Sequence, residues 1–495
     1  MQTVFDIAAR RAELTPHKTA FIELESGRRL TYGDLNDRAC RFAAWLQGKG
    51  IRSGDRVAIL CLNSASFFEI LFACGKLGAI LVPLNWRQPA PELMPVVQDA
   101  APKLLIHDVD HAAIAAELNL PLLSFGDYEQ AVAATAPGRF DTAWVPDRIW
   151  YMLYTSGTTG KPKAVIQTPG MAYANAINIG QAIDLTSSDT TLNFLPLFHT
   201  AGINLHTLPV LMWGGCVRVL KKFEIDPVMT ALQDGACTAF FGVPAIYQAI
   251  SLHRDFANAD LSQVRSWGCG GAPLPATLIE LFARRGVLVC NGMGMTETGP
   301  TVFLMDRAHA QAKIGSVGKP QILSEVRVAD DNDRPLPDEH AGELQIRGPG
   351  ITPGYWNNAP ATKAAFTADG WLRTGDVARR DSDGYYYIVD RIKDMFISGG
   401  ENVYPAEVEI AIYKFPGVLE CAVIGVPDEK WGEVGCAFVL PQPAASIDAE
   451  ALRGFCRQNL AAYKVPKHIR IIEDFPRTAA GKVQKHILRS RFSGT

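Results

Sequence analysis

From Val57 to Tyr154 the chain alternates short apolar runs with longer segments of helical spacing, and this rhythm limits the folds open to it. Val57–Leu62, Ala79–Leu84, Lys103–His107, Leu122–Ser124 and Trp150–Tyr154 read as strands, and Ala65–Leu77 as a helix between the first two. Near-continuous apolar runs of strand length are what strands covered on both faces require. Parallel neighbours need a crossover, usually helical, so the alternation predicts an α/β domain with largely parallel sheets. Upstream, Val4–Leu14 has helical spacing and stops before Thr15-Pro16, and Thr19–Glu23 and Arg29–Thr31 read as a hairpin. Asp34–Gly48 reads as an amphipathic helix closed by Gly48 and Gly50.

A chain of 495 residues exceeds what one hydrophobic core serves, so at least two domains are expected. The C-terminal part reads as a compact α+β unit. Pro405 and Glu407 open a helix with Val408, Ala411, Ile412 and Phe415 on one face; strands follow at Cys421–Val426 and Gly435–Leu440, then a helix over Asp448–Leu460. The charged run Arg391-Ile392-Lys393-Asp394 separates the two parts. The expectation is a large α/β domain over 1–391, with mostly parallel sheets and helices, and a small α+β domain over 392–495.

The balance of 48 basic against 51 acidic residues argues against a nucleic-acid surface, which would show a basic excess. Ten cysteines are scattered without a Cys-x-x-Cys pair, so neither a disulfide framework nor a zinc site is expected, and a reducing cytoplasm fits. The first residues lack the apolar core of a secretory signal. The greasy stretch Val57–Leu84 is broken by Asn63, Glu69 and Lys76, so it is not read as a membrane span, while peripheral membrane contact stays open.

The strand at Trp150–Tyr154 ends in Thr155-Ser156-Gly157-Thr158-Thr159-Gly160, followed by Lys161-Pro162-Lys163. Glycines let the backbone approach an anion, hydroxyls and peptide N–H groups donate to it, and lysines supply charge. This composition suits a polyphosphate. It is not a Walker A loop, because only two residues separate Gly157 from Gly160 and a proline follows Lys161. Two further strand-to-loop transitions, Gly268-Cys269-Gly270-Gly271-Ala272-Pro273 and Asn291-Gly292-Met293-Gly294-Met295-Thr296-Glu297, lie where ligands gather in α/β sheets. Thr296 beside Glu297 puts a hydroxyl and a carboxylate where a phosphate and a hard cation could be held.

Tyr154–Lys163 resembles the phosphate loop of the adenylate-forming superfamily, which comprises acyl-CoA synthetases, luciferases and peptide-synthetase adenylation domains. Pro196-Leu197-Phe198-His199, Gly292-Met293-Gly294-Met295-Thr296-Glu297, Thr374-Gly375-Asp376 and Pro476-Arg477-Thr478 through Gly481-Lys482 match further motifs in the family's order. The branch the chain most resembles is the AMP-forming acyl-CoA ligases. The resemblance implies that Thr155 to Lys161 hold ATP phosphates, and that Gly271, Ala272, Pro273 and Asn291 to Thr296 surround the nucleotide. It implies that Asp376 takes the ribose hydroxyls beside Arg391, and that Glu297 holds Mg²⁺. His199, Phe241, Val243, Gly270, Gly292 and Pro300 are implied to line the acyl pocket. Thr296, Glu297 and His199 would serve catalysis with Lys482, carried on a mobile small domain that pivots at Lys393 and offers Ser398, Gly399 and Gly400 to CoA. Family members carry Tyr or Trp where this chain has Met293, whose polarizable sulfur can still pack on a ring.

The implied reaction joins a carboxylate to ATP, releases pyrophosphate, and passes the acyl group from AMP to the thiol of CoA. The pocket candidates are apolar or small, which points to an apolar monocarboxylate, fatty or aromatic. Delivery to a carrier protein or to oxygen is the alternative, and a homodimer is left open.

Overall fold

The computed structural model describes residues 2–156, 162–477 and 483–493, with the backbone alone for Ser156 and Ser493. Local sequence signals set many of the element ends. Thr31 caps the helix Tyr32–Gly48 in a reciprocal pair with Asp34, and Ser64 caps Ala65–Leu77, which Gly78 ends at φ +75°. Such caps are each worth ~1 kcal/mol.

Three sheets build the large part of the chain. The first has six strands in the spatial order Pro162–Gln167, Tyr151–Ser156, Ile80–Pro83, Arg56–Leu60, Leu104–His107, Leu122–Ser124; all neighbours run parallel except the first pair. Tyr151–Ser156 is called β1 and Pro162–Gln167 β2. The second sheet has nine strands, parallel through its centre, where Ala239–Gly242 (β3), Ser266–Cys269 (β4) and Val289–Met293 (β5) lie side by side. Phe303–Leu304 and Lys319–Pro320 close one edge antiparallel, and the hairpin Thr19–Glu23 with Arg29–Thr31 closes the other. The third sheet is wholly antiparallel: Glu325–Ala329, Gly342–Arg347, Leu372–Arg380 (β6) and Tyr386–Arg391 (β7). The largely parallel expectation therefore holds for the first two sheets and not for residues 325–391.

Helices fill the faces of the parallel sheets. Ala65–Leu77 is buried along almost its whole length, including Glu69, which is 0 % exposed. Glu69 accepts from Arg28 at 2.8 Å, from Arg38 at 2.9 Å and from the Tyr128 hydroxyl, so its charge is matched where water cannot reach. Removing one partner of such a buried set typically costs ~3–5 kcal/mol. Among the described residues no helix is long and apolar enough to cross a membrane.

Beyond β7 the turn at 392–394 leads into a five-stranded sheet that pairs Val418–Asp428 with Gly432–Pro441, and the latter with His468–Ile471. Helices Pro405–Ile412 and Ala449–Asn459 pack on it around Val408, Val423, Val439 and Leu452. This is the α+β unit that the sequence implied, with both central strands longer than expected.

Candidate active site

Segments far apart in sequence meet beside β1 and β2. The two strands pair antiparallel as far as Thr155 with Lys163 and Ser156 with Pro162. Gly157, Thr158, Thr159, Gly160 and Lys161, which join them, lie outside the described residues. At the far end of β2, Gln167 donates from Nε2 to the Thr296 carbonyl at 2.9 Å. This brings Thr296–Thr298, a single 3₁₀ turn, against β2. Glu297 within it is buried, and its Oε1 accepts from the Tyr355 hydroxyl at 2.9 Å. The Lys163 ammonium sits 5.3 Å from the centre of the same Tyr355 ring. Burial first, then the Glu297 carboxylate, hold the Tyr355 phenol well above its usual pKa, so it remains a donor.

The chain reaches Glu297 through a tight reversal that only glycine permits. A Cβ on Gly294 would stand 1.3 Å from the Pro300 carbonyl oxygen. Met295 N donates to Thr298 Oγ1 at 2.8 Å, and that hydroxyl lies 3.0 Å from the Pro300 oxygen. The strand leading in is longer than its sequence suggested, because Asn291, Gly292 and Met293 belong to β5 and not to the following loop. Met293 is half-buried on the cluster of Val302, Phe303, Ala378 and Tyr386, which joins β5 to the sheet that carries Asp376. Asn291 is 7 % exposed and its Oδ1 has no hydrogen-bond partner among the described residues. A buried acceptor left open calls for a donor that the described residues do not supply.

Asp376 on β6 is buried, with Oδ1 3.1 Å from the Arg391 Nε on β7, directly across the ladder. Gly271, at φ +84°, opens the exposed loop Gly271-Ala272-Pro273 beyond β4.

Of the acyl-side candidates, Gly270 lies against the ring of Phe241, and the others stand apart from it. Phe241 on β3 lies across the bare backbone of β4: a Cβ on Gly268 would come within 2.8 Å of the ring, and one on Gly270 within 3.1 Å. The His206 ring stands edge-on to Phe241, with centroids 5.8 Å apart. A cavity of about 10 Å³, the size that admits one water, is bounded by Leu192, Leu195, Ala201, Leu205, His206 and Phe241. His199 is half-buried, its ring 4.9 Å from that of Phe198, just before a π-helical turn at Ala201–Leu205. Phe198 in turn meets Trp86 edge-on at 6.3 Å, with the Arg87 guanidinium 4.4 Å from the Trp86 ring. Val243 caps the helix Pro244–Leu252 and packs into the core cluster around Phe240 and Tyr247. Pro300 is buried in the Gly294 reversal. Gly292 does not open toward the cavity: its Cβ position is 2.9 Å from the Phe303 carbonyl oxygen, on the neighbouring strand. Its own carbonyl oxygen does approach Gly270, 3.1 Å from where a Cβ would stand there.

In the small C-terminal part, Ser398 is buried at the end of Phe396–Ser398, and Gly399 and Gly400 follow at φ +61° and +88°. Gly399 donates to the Trp431 carbonyl at 2.9 Å, under the Trp431 ring. Lys393 is exposed in the turn that Asp394 N closes onto the Arg391 carbonyl at 3.0 Å. Lys482 lies outside the described residues. Sequence reasoning missed Tyr355, which follows the run Gly348-Pro349-Gly350-Ile351-Thr352-Pro353-Gly354, and His206, Gln167 and Asn204, which stand in no Gly-rich motif.

The comparisons with known proteins agree with this geometry. A model of the AMP-binding enzyme family matches residues 8–356, and a model of the AMP-binding enzyme C-terminal domain matches 407–482. A feruloyl-CoA synthase from an Amycolatopsis species is 43% identical over 484 residues, with 98% of each chain covered. A long-chain-fatty-acid–CoA ligase of Mycobacterium tuberculosis is 35% identical over 509 residues, covering 100% of this chain and 99% of its own. Among solved structures, an o-succinylbenzoate CoA synthetase from Bacillus subtilis, in complex with ATP and a magnesium ion, aligns with a TM-score of 0.90 at 29% identity over 99% of this chain and 100% of its own. Matched over almost its whole length by sequence and by structure, the chain belongs to the AMP-binding enzyme family.

Proposed function

We propose that this enzyme is an ATP-dependent carboxylic acid–CoA ligase whose acid is an aromatic monocarboxylate of the hydroxycinnamate or benzoate class. The observation that carries the ligase reading is the meeting of the phosphate-loop strands with Thr296–Glu297, through Gln167 and Tyr355. The choice of an aryl acid is supported by Phe241, whose ring lies against the side-chain-free backbone of Gly268 and Gly270. It is supported too by the greater identity to a feruloyl-CoA synthase than to a fatty-acid ligase.

In the first half-reaction a carboxylate oxygen attacks the α-phosphorus of ATP, the bond to pyrophosphate breaks, and acyl-AMP forms. Both reactants are anionic, so the work is positioning and charge neutralisation, with no nucleophilic side chain needed. Thr155, Ser156, Gly157, Thr158, Thr159, Gly160 and Lys161 cradle the phosphates. The open Oδ1 of Asn291 accepts from the exocyclic amine of adenine, and the Asp376 carboxylate, aligned by Arg391, takes the ribose hydroxyls. His199 stands on the carboxylate side, and Lys482 neutralises the developing charge.

Glu297 suits Mg²⁺: it is one buried carboxylate with an oriented hydroxyl partner, and among the described residues no group of three His, Cys, Asp or Glu forms an all-protein cage. That ion binds through one or two carboxylates, phosphates and water, and when bound it supplies positive charge beside the phosphates.

In the second half-reaction the CoA sulfur attacks the acyl carbonyl and AMP leaves. The small domain, 392–495, turns about Lys393 so that Lys482 withdraws and Ser398, Gly399 and Gly400 line the path of the pantetheine arm.

The test is pyrophosphate and thioester production from ferulate, 4-coumarate, benzoate, octanoate and palmitate. Aryl acids should lead palmitate in kcat/KM by roughly tenfold or more, with one thioester per pyrophosphate. A lead for palmitate would overturn the aryl assignment, and pyrophosphate without thioester would overturn CoA as acceptor.

A further inference from the structure

A chain of buried amides joins the acyl side of the site to the nucleotide side, and no step above uses it. Tyr151 on β1, Gln167 on β2, Asn175 and Asn204 are each 1 % exposed. Asn204 stands in the π-helical turn Ala201–Leu205, directly after His199 and Thr200. Its Oδ1 accepts from the Tyr151 hydroxyl at 2.6 Å, and its Nδ2 donates to Thr200 Oγ1 at 3.0 Å and reaches Gln167 Oε1 at 3.4 Å. Its carbonyl accepts from Asn175 Nδ2, whose Oδ1 accepts from Thr301 N at 3.3 Å. Gln167 Nε2 donates to the Thr296 carbonyl at 2.9 Å and to the Ile166 carbonyl at 3.3 Å.

Each of these groups would be costly to bury unmatched, whereas Met or Leu would fill the same space without needing partners. A fully matched buried network instead fixes one relative placement of the segments it joins. Here those segments are Phe198–Leu205, which carries His199, and Thr296–Glu297. A π-turn within the first of them is the kind of irregularity that recurs at functional sites.

We propose that Gln167 and Asn204 form a positioning pair that sets the distance between the acid and the α-phosphorus of ATP, and that it serves adenylation alone. The proposal rests on the ligase reading above. In the first half-reaction the two reactants are separate molecules held on separate segments, so a shift between the segments misaligns the attack. In acyl-AMP the same two parts are covalently joined. Their spacing is then a property of the molecule, and thioester formation no longer depends on the pair.

Gln167→Met, Asn204→Leu and the double variant would be assayed for ferulate-dependent pyrophosphate release, and for thioester formation from synthetic feruloyl-AMP and CoA, with thermal midpoints recorded. Adenylation kcat should fall about 100-fold, the scale of a ~1 Å misplacement, with KM for ferulate and ATP little changed. Thioester formation from feruloyl-AMP should keep the wild-type rate, and the double variant should lose no more than the worse single one, because the two residues act as a unit. Equal losses in both half-reactions, unchanged adenylation, or losses that multiply in the double variant would overturn the pair's role. Tyr151→Phe, which leaves both amides in place and frees only Asn204 Oδ1, gives the same comparison if Asn204→Leu does not fold; a loss confined to adenylation supports the pair, and an even loss overturns it. Wild-type protein that makes neither pyrophosphate nor thioester from any acid would instead bring down the ligase reading.

Discussion

His206 is a residue whose charge the fold decides. It is buried, its ring stands edge-on to Phe241, and its Nδ1 lies 3.4 Å from Thr191 Oγ1. Burial pulls its pKa down from 6.5 to about 4, against a smaller opposing pull from the Ala239 backbone. The ring beside Phe241 is therefore neutral at pH 7. A depressed native pKa means that the unfolded chain binds the proton more readily between the two values. The resulting stability is fully present above pH 6.5 and is lost as pH falls through about 4. Its full size is on the order of 3 kcal/mol. The urea midpoint of the wild type should thus fall more steeply between pH 6.5 and 4 than that of His206→Leu. Parallel curves would mean that the ring finds a proton partner in the native state.

Among elements, the meeting of β2, the Thr296–Thr298 turn and Tyr355 decides how Glu297 is presented. The Tyr355 hydroxyl holds one carboxylate oxygen at 2.9 Å, which leaves the other for a cation. Tyr355→Phe keeps the ring under Lys163 and removes only that bond. The Mg²⁺ concentration needed for half-maximal pyrophosphate release should rise ~10–100-fold, the usual effect of losing a group that orients a metal ligand. An unchanged requirement would take Glu297 off the metal. Nothing near Gly354-Tyr355 marks that tyrosine in the sequence, because its partner is 58 positions away and a single chain carries no signal of such contacts. The same holds for Gln167 with Thr296 and for His206 with Phe241. What the sequence does carry is local. The helix Ala65–Leu77 and the hairpin around Gly27 have the bounds that their apolar patterns imply. β4 and β5 run on through Gly268 and Gly292, where the sequence reads as the start of a loop. There the ladders to β3 and Phe303–Leu304 hold the backbone extended, and the missing side chains make room for Phe241 and for the neighbouring strand. The antiparallel sheet over 325–391 was largely unread, since charged residues are spread through Glu325–Ala329, Gly342–Arg347 and Leu372–Arg380, which lack the long apolar runs of the parallel strands.

At the scale of the whole molecule, the proposed two-step reaction sets two demands on one small domain, and two substitutions should separate them. The chain crosses from β7 into that domain through an exposed turn at 392–394, flanked by contacts on both sides. Asp390 Oδ2 accepts from Ala406 N at 2.7 Å, Arg489 pairs with Asp394 at 3.0 Å, and half-buried Lys485 pairs with Glu409 at 2.8 Å. Lys393, exposed within this turn, is the proposed pivot. Lys393→Pro fixes φ near roughly −65° and removes a backbone donor, so it hinders the rotation without touching a reacting group. Acid-dependent pyrophosphate release should survive and thioester formation from acyl-AMP should fall. Lys482→Ala should do the reverse: without a cation near the α-phosphate, adenylation should drop by several orders of magnitude, while premade acyl-AMP and CoA still yield thioester. Each variant serves as the other's control for folding, because a general loss of structure would lower both half-reactions in both proteins. If Lys393→Pro leaves both half-reactions near wild type, the pivot lies elsewhere in the turn. If Lys482→Ala lowers both equally, one fixed arrangement of the domains serves both steps and the rotation is not part of the mechanism.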